Sequence, residues 1–210
     1  MSFLRRFTKW RECHGFRVGV GLAAFMTTGG CKRAIHKLDS ALGLIEQYDH
    51  RRFVRMRREL STLRLDPFFG ANTAFHKPTR ECVIDSWYIL RERTTPSLLA
   101  TDLVGIATQG RIANCGITSA AGFGPRIGLA ALRAELAFAQ RLPHGQDLVA
   151  HAERMLAAPV AQPATEASTH DGMVRDFEAR MRALGMSERS IRCAVWLATW
   201  RSRRKRGSAA

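Results

Sequence analysis

Acidic side chains are scarce in this sequence. Eighteen Asp and Glu stand against 33 Lys and Arg, a formal net charge of +15 over 210 residues. Such a surface is ill suited to cationic partners and attracts phosphates, anionic lipid headgroups or acidic proteins. The same balance also arises where Arg is simply the default solvated residue. Cysteines are few and scattered. Cys13, Cys31, Cys82, Cys115 and Cys193 are odd in number and show no C-x-x-C spacing, so neither a disulfide framework nor a zinc knuckle is implied. Isolated thiols of this kind serve as small apolar core residues. The uncharged run from Val18 to Cys31, "VGVGLAAFMTTGGC", is too short to cross a bilayer as a straight helix. The Gly-rich phrase "GFGPR" lacks the following Lys-Ser/Thr and the preceding strand that a phosphate cradle requires. No Ser/His/Asp or Cys/His set is suggested by spacing.

The remaining composition is that of a globular protein, 46% hydrophobic and 24% charged, long enough for one main domain with an appendage. Residues 1–33 read as a basic and then apolar leader. Arg5, Arg6, Lys9, Arg11 and Arg17 precede the uncharged run, which is the outline of an export signal. Gly29-Gly30-Cys31 is similar to a bacterial lipoprotein cleavage site, with Thr28 where such sites carry Leu. The alternatives are a Gly-loosened buried helix or a leader without structure. Through this segment an anionic membrane surface is a candidate partner. A cytoplasmic location is the first reading, and export or membrane attachment the second.

Helical periodicity begins after the leader. Ile35, Leu38, Leu42 and Ile45 share one stripe, and so do Phe53, Met56, Leu60 and Leu63, with Arg51, Arg55 and Arg58 on the opposite side. That basic face suits nucleic acid, lipid or plain solvent. The period then shortens: "STLRL", "NTAFH" and "CVIDSWYIL" read as strands, broken by Asp66-Pro67 and Gly70. Thr94-Thr95-Pro96 predicts a hydroxyl-capped helix start, and that helix runs to about Asn114. A Gly-rich loop, a helix from Pro125 and a further helix from Gly145 follow. The reading is an α+β fold, mostly helical, with a small β-sheet packed against the central helix. The domain spans 34–157, followed by a linker over 158–170, a C-terminal helical hairpin over 171–203 and a basic tail over 204–210.

The central helix, "LLATDLVGIATQGRI", carries the chemistry that is missing. In the pattern H-E-x-x-H two imidazoles one turn apart grip a zinc ion, and the Glu activates the bound water. The words "ECVIDSWYIL", "LLATDLVGIATQGRI", "RIGLAALRAELAFAQRLPHG" and "LVAHAERML" resemble small bacterial proteins related to zinc metallopeptidases. Their active helix reads "LVHEATHAR" and their next helix "RRELAFARRLP". The resemblance covers about residues 34–157. It implies a zincin-like helix on which Gly105 stands at the first His, Ile106 at the catalytic Glu, Gln109 at the second His and Gly128 at the third ligand. None of these four supplies a zinc ligand or a general base. The resemblance therefore implies a degenerate, non-catalytic domain with no metal and no cofactor, and a binding or interaction role toward a protein or peptide. Gln109 and Arg111 are its candidate pocket residues, in space vacated by the lost ligands.

His144, Asp147 and His151 share a helix face, but the two imidazoles are about 10 Å apart along the axis, too far for one ion. His76 is read as structural. An alternative function lies at the C-terminus, where "RALGMSERSIRCAV" resembles a helix-turn-helix. Ser187, Arg189 and Arg192 would sit at the start of its second helix, with Arg203, Arg204, Lys205 and Arg206 in the tail adding phosphate contacts, so DNA or RNA is a candidate partner. A second alternative is an active metal-dependent hydrolase using a site that the motif does not mark.

Overall fold

Short runs of alternating apolar residues build a five-stranded sheet in the order β1-β2-β3-β5-β4. In the computed structural model, which describes residues 8–21, 28–66, 72–115, 123–157 and 182, the strands are β1 (Thr8–Cys13), β2 (Phe16–Gly21), β3 (Thr62–Asp66), β4 (Thr73–His76) and β5 (Glu81–Asp85). The three central strands β2, β3 and β5 are parallel, and β1 and β4 flank them as antiparallel edges. The register sets Val18, Leu63, Cys82 and Phe75 in one row and Val20, Leu65 and Ile84 in the next. All are buried except Phe75, which is partly so. Alternate residues point the other way, and there Arg64 reaches Asp66 at 2.8 Å and Glu81 at 3.3 Å. That second face is more polar and yet largely enclosed, since Thr62, Asp66, Val83 and Asp85 are buried on it.

Six helices accompany the sheet among the described residues: α1 (Thr28–Tyr48), α2 (His50–Glu59), α3 (Ser86–Leu90), α4 (Pro96–Asn114), α5 (Phe123–Ala139) and α6 (Gln146–Ala157). The fold is mixed α+β and mostly helical, as the sequence predicts. α1 buries Ala34, Leu38, Ala41, Leu42 and Ile45, spaced three and four apart. Each fully buried Leu or Ile contributes roughly 1.5–3 kcal/mol. Asp49 caps α2, accepting a hydrogen bond from the Arg52 amide at 3.1 Å. α2 turns Phe53 and Met56 inward and leaves Arg51, Arg55 and Arg58 exposed, as expected from the periodicity. α4 starts where Thr95 accepts from the Leu98 amide at 3.2 Å with Pro96 in the first turn. It is the most enclosed helix, packing on α1, α2, α5 and β4 and burying Leu99, Leu103, Val104 and Ile106.

The structure corrects the reading of three segments. Residues 8–21, placed in a leader by composition, form the β1–β2 hairpin, with His14 and Gly15 at positive φ in the turn. His14 Nδ1 lies 2.7 Å from Glu46 of α1. Residues 28–33 belong to α1. The strand alternation of Phe16, Val18 and Val20 was hidden by the glycines between them and by the uncharged run that follows. "CVIDSWYIL" does not form one strand. Asp85 ends β5 and caps α3, accepting from the Trp87 amide at 3.1 Å, so the chain turns helical at Ser86. Cys115, unlike Cys13 and Cys82, is exposed rather than a core residue. The chain divides into two units, Met1–Val160 and Ala161–Ala210. The linker over 158–170, the hairpin over 171–203 and the tail lie outside the described residues, apart from Arg182, which is helical.

Candidate functional site

α4 and α5 pack side by side, and a glycine of α4 makes room for a carboxyl of α5. Gly105 is buried, and a Cβ built on it would fall inside the Glu135 carboxyl, 2.8 Å from its Cδ and 3.0 Å from its Cγ. The carboxyl of α5 therefore fills the space that any side chain at position 105 would occupy. A second glycine allows a second approach: a Cβ at Gly110 would lie 3.0 Å from the Phe75 ring of β4. Glycine in a helix interior costs about 1 kcal/mol relative to Ala. Here that cost is set against two close contacts across the helix.

Glu135 is not alone. Asp102, three residues before Gly105 on the same face of α4, accepts a hydrogen bond from the Tyr88 hydroxyl of α3. Burial lifts the Asp102 carboxyl to about 6, opposed by the Tyr88 hydrogen bond and by His151 of α6. Burial and then the Asp102 charge push Glu135 to about 8. Burial and Asp102 also push the Tyr88 hydroxyl up. Four helices thus contribute to one polar seam: Tyr88 from α3, Asp102 from α4, Glu135 from α5 and His151 from α6. A carboxyl raised to about 8 is mainly protonated at neutral pH, whereas Asp102, raised to about 6, is mainly ionised and accepts from Tyr88. The seam can store a proton and orient hydrogen bonds. The buried Cys82 thiol also feels the Asp102 charge, and burial and that charge push it up to about 12, so it stays a thiol and not a thiolate nucleophile.

The residues singled out by the motif are only partly brought together. Gly105 is buried and Gln109, one turn on, is half-buried. Gly128 is exposed with nothing within 4 Å of a Cβ built on it, so it does not face Gly105; Glu135 does. The residue of α5 that meets position 105 is thus Glu135, two helical turns beyond the Gly128 expected there. Arg111 is exposed and lies on the α2 side, close enough to Arg52 to repel it, rather than in a pocket with Gln109. The vacated space expected at position 105 is filled by Glu135. A shallow depression of about 460 Å³ lies between α5 and α6, lined by Leu142, Gly145, Val149 and Glu153, and includes none of the motif positions. His144, Asp147 and His151 are exposed, and His151 is the one whose charge acts on Asp102. His76 Nδ1 lies 2.8 Å from Thr79 Oγ1, a local structural contact. Ser187, Arg189, Arg192, Arg203, Arg204, Lys205 and Arg206 lie outside the described residues.

Sequence reasoning missed Asp102, Glu135 and Tyr88. Asp102 was legible as an acid on an otherwise apolar helix, and Glu135 as the acid of "RAELAF". Nothing in the spacing told that they face each other.

The donor set does not fit the zinc ion that an intact H-E-x-x-H helix would hold. The seam offers two carboxylates, a phenol and, at its exposed edge, the His151 imidazole; positions 105 and 106 offer no ligand, and among the described residues no three His, Cys, Asp or Glu are grouped to hold a metal ion. Comparison of the chain with protein-family models, with curated proteins and with solved structures finds no match. Among the described residues no helix is long and apolar enough to cross a membrane.

Proposed function

We propose that this chain is a non-catalytic binding domain on a metallopeptidase-like scaffold, in which a protonated carboxyl stands where the side chain of the first ligand would begin. The observation that carries the reading is the fit of the Glu135 carboxyl into the space over Gly105. A third ligand from the following helix must point at the first His of the motif, and Glu135 has that relation to position 105. Loss of the positive ion would leave such a carboxylate buried beside Asp102 with no counter-charge. A proton then replaces the metal as the neutralising species, consistent with the raised Glu135 and Asp102 values. The apolar Ile106, 5% exposed, fills the position of the general base with core packing.

The experiment is restoration. Gly105→His, Ile106→Glu and Gln109→His are introduced together, with native Glu135 retained and Gly128 untouched. The obstacle at position 105 is the far end of a flexible side chain, which can swing aside. Zinc binding, measured by calorimetry on a variant with native far-ultraviolet dichroism, is the expected outcome, and Glu135→Ala in that background abolishes it. A folded variant that ignores zinc counts against the ancestry.

A further inference from the structure

A row of arginines on α2 carries a separate inference. Arg51, Arg55 and Arg58 form one exposed stripe of α2, spanning about 10 Å at the helical rise. Arg52, on the flank of that stripe, donates to the Ala134 carbonyl at 2.5 Å and lies 3.3 Å from Asp49. Arg141, at the end of α5, reaches the same Asp49 oxygen at 2.8 Å with its side chain 52% exposed. Arg111 of α4 completes the group. Burial lowers Arg52 from its ordinary value; Asp49 opposes the shift, and the charges of Arg141, Arg55 and Arg111 add to it. Six guanidiniums therefore gather where the acids are already engaged: Asp49 is buried beneath them, and Glu59 accepts from Asn114 at 2.9 Å. Among the described residues no carboxylate lies within ion-pair distance of Arg51, Arg55, Arg58 or Arg111.

We propose that this arginine row is a docking surface for the phosphodiester backbone of a nucleic acid. It is independent of the metallopeptidase-like reading and uses none of the C-terminal residues. The side-chain chemistry favours phosphate: α2 contains five Arg and no Lys, and the planar fork of guanidinium matches phosphate oxygens in pairs. Anchorage of the half-exposed Arg141 on a buried carboxylate fixes one fork before binding. A lipid surface fits less well. A helix lying on a membrane must free its apolar face for insertion, whereas Phe53 and Met56 of α2 are locked in the core at 2% and 1% exposure. The large apolar side chains that are exposed among the described residues, Trp10 and Met155, are not on α2.

The test uses the full chain and a short fluorescein-labelled oligonucleotide of mixed sequence, single-stranded, as RNA and as DNA. Fluorescence anisotropy is followed across a salt series. Arg55→Ala/Arg58→Ala/Arg111→Ala is compared with Arg91→Ala/Arg93→Ala/Arg154→Ala, which removes the same charge elsewhere on the unit. All six side chains are exposed, and unchanged dichroism and melting establish that the fold persists. The ridge variant is expected to bind at least roughly 10-fold more weakly and to flatten the salt slope by about 2, given about 0.7 per lost contact on a single strand. The Lys triple variant at the same positions keeps most of that slope. Wild-type affinity in the ridge variant overturns the proposal. So does an equal loss in the control variant, or stronger binding of the wild type to phosphatidylserine vesicles or to polyglutamate than to either oligonucleotide.

Discussion

Gly105 and Glu135 interact through a side chain that is absent. Gly105→Ala gains about 1 kcal/mol of helix propensity, yet its Cβ displaces a buried carboxyl. The net effect is expected to be destabilising in the native background and stabilising when Glu135 is also Ala. A double-mutant cycle in urea checks this, and a coupling energy below about 0.5 kcal/mol would show the two positions to be independent. The raised carboxyls give a second prediction. Glu135 titrates at about 8 in the folded protein against an ordinary 4.5. Between those values the folded state binds a proton that the unfolded chain has released, so stability falls as pH rises from about 4.5 to about 8, then levels off. Asp102, raised from 3.8 to about 6, adds to the fall over the lower part of that range. One group contributes at most ~1.4 kcal/mol per pH unit. Glu135→Gln is expected to remove the decline between about pH 6 and pH 8, read from urea midpoints at each pH.

At the scale of elements, Asp49 joins three of them. It ends α1, caps α2 and receives Arg141 from α5, all while 4% exposed. Removing one partner of a buried ion pair leaves an uncompensated charge and costs about 3–5 kcal/mol. Asp49→Ala is expected to lose stability on that order in denaturant titration. Asp49→Asn keeps the cap and loses less. The sequence made some of these elements readable and hid others. α2 was legible from the 3.6 period that sets Phe53 and Met56 opposite Arg51, Arg55 and Arg58, and α4 from its start signal, Thr95-Pro96. β5 was read too long because Trp87, Tyr88 and Ile89 suit strand and helix alike, and only the Asp85 cap decides between them. β1 and β2 were not read as strands, since Gly19 and Gly21 weaken the alternation and basic residues alongside an uncharged run imitate a leader. The polar seam was unreadable for a different cause: its members come from α3, α4, α5 and α6, and only packing makes them neighbours.

At the scale of the molecule, the sheet depends on its N-terminal strands. β2 lies between β1 and β3 and supplies Phe16, Val18 and Val20 to the core at 2%, 0% and 5% exposure. A chain lacking residues 2–27 is expected to lose its cooperative thermal transition by near-ultraviolet dichroism. Retention of that transition would return residues 8–21 to the role of a dispensable leader. The parallel pairing of β2 with β3 also carries a consequence for biosynthesis. Parallel neighbours require a crossover, here through α1 and α2, so β1 and β2 leave the ribosome well before the strand that will lie beside them. Until Thr62–Asp66 emerges, the hairpin shows a bare line of amide and carbonyl groups on its inner border. Slow translation through α1 and α2 would prolong that exposed state, and a chaperone that shields strand edges would act on this nascent chain within that interval.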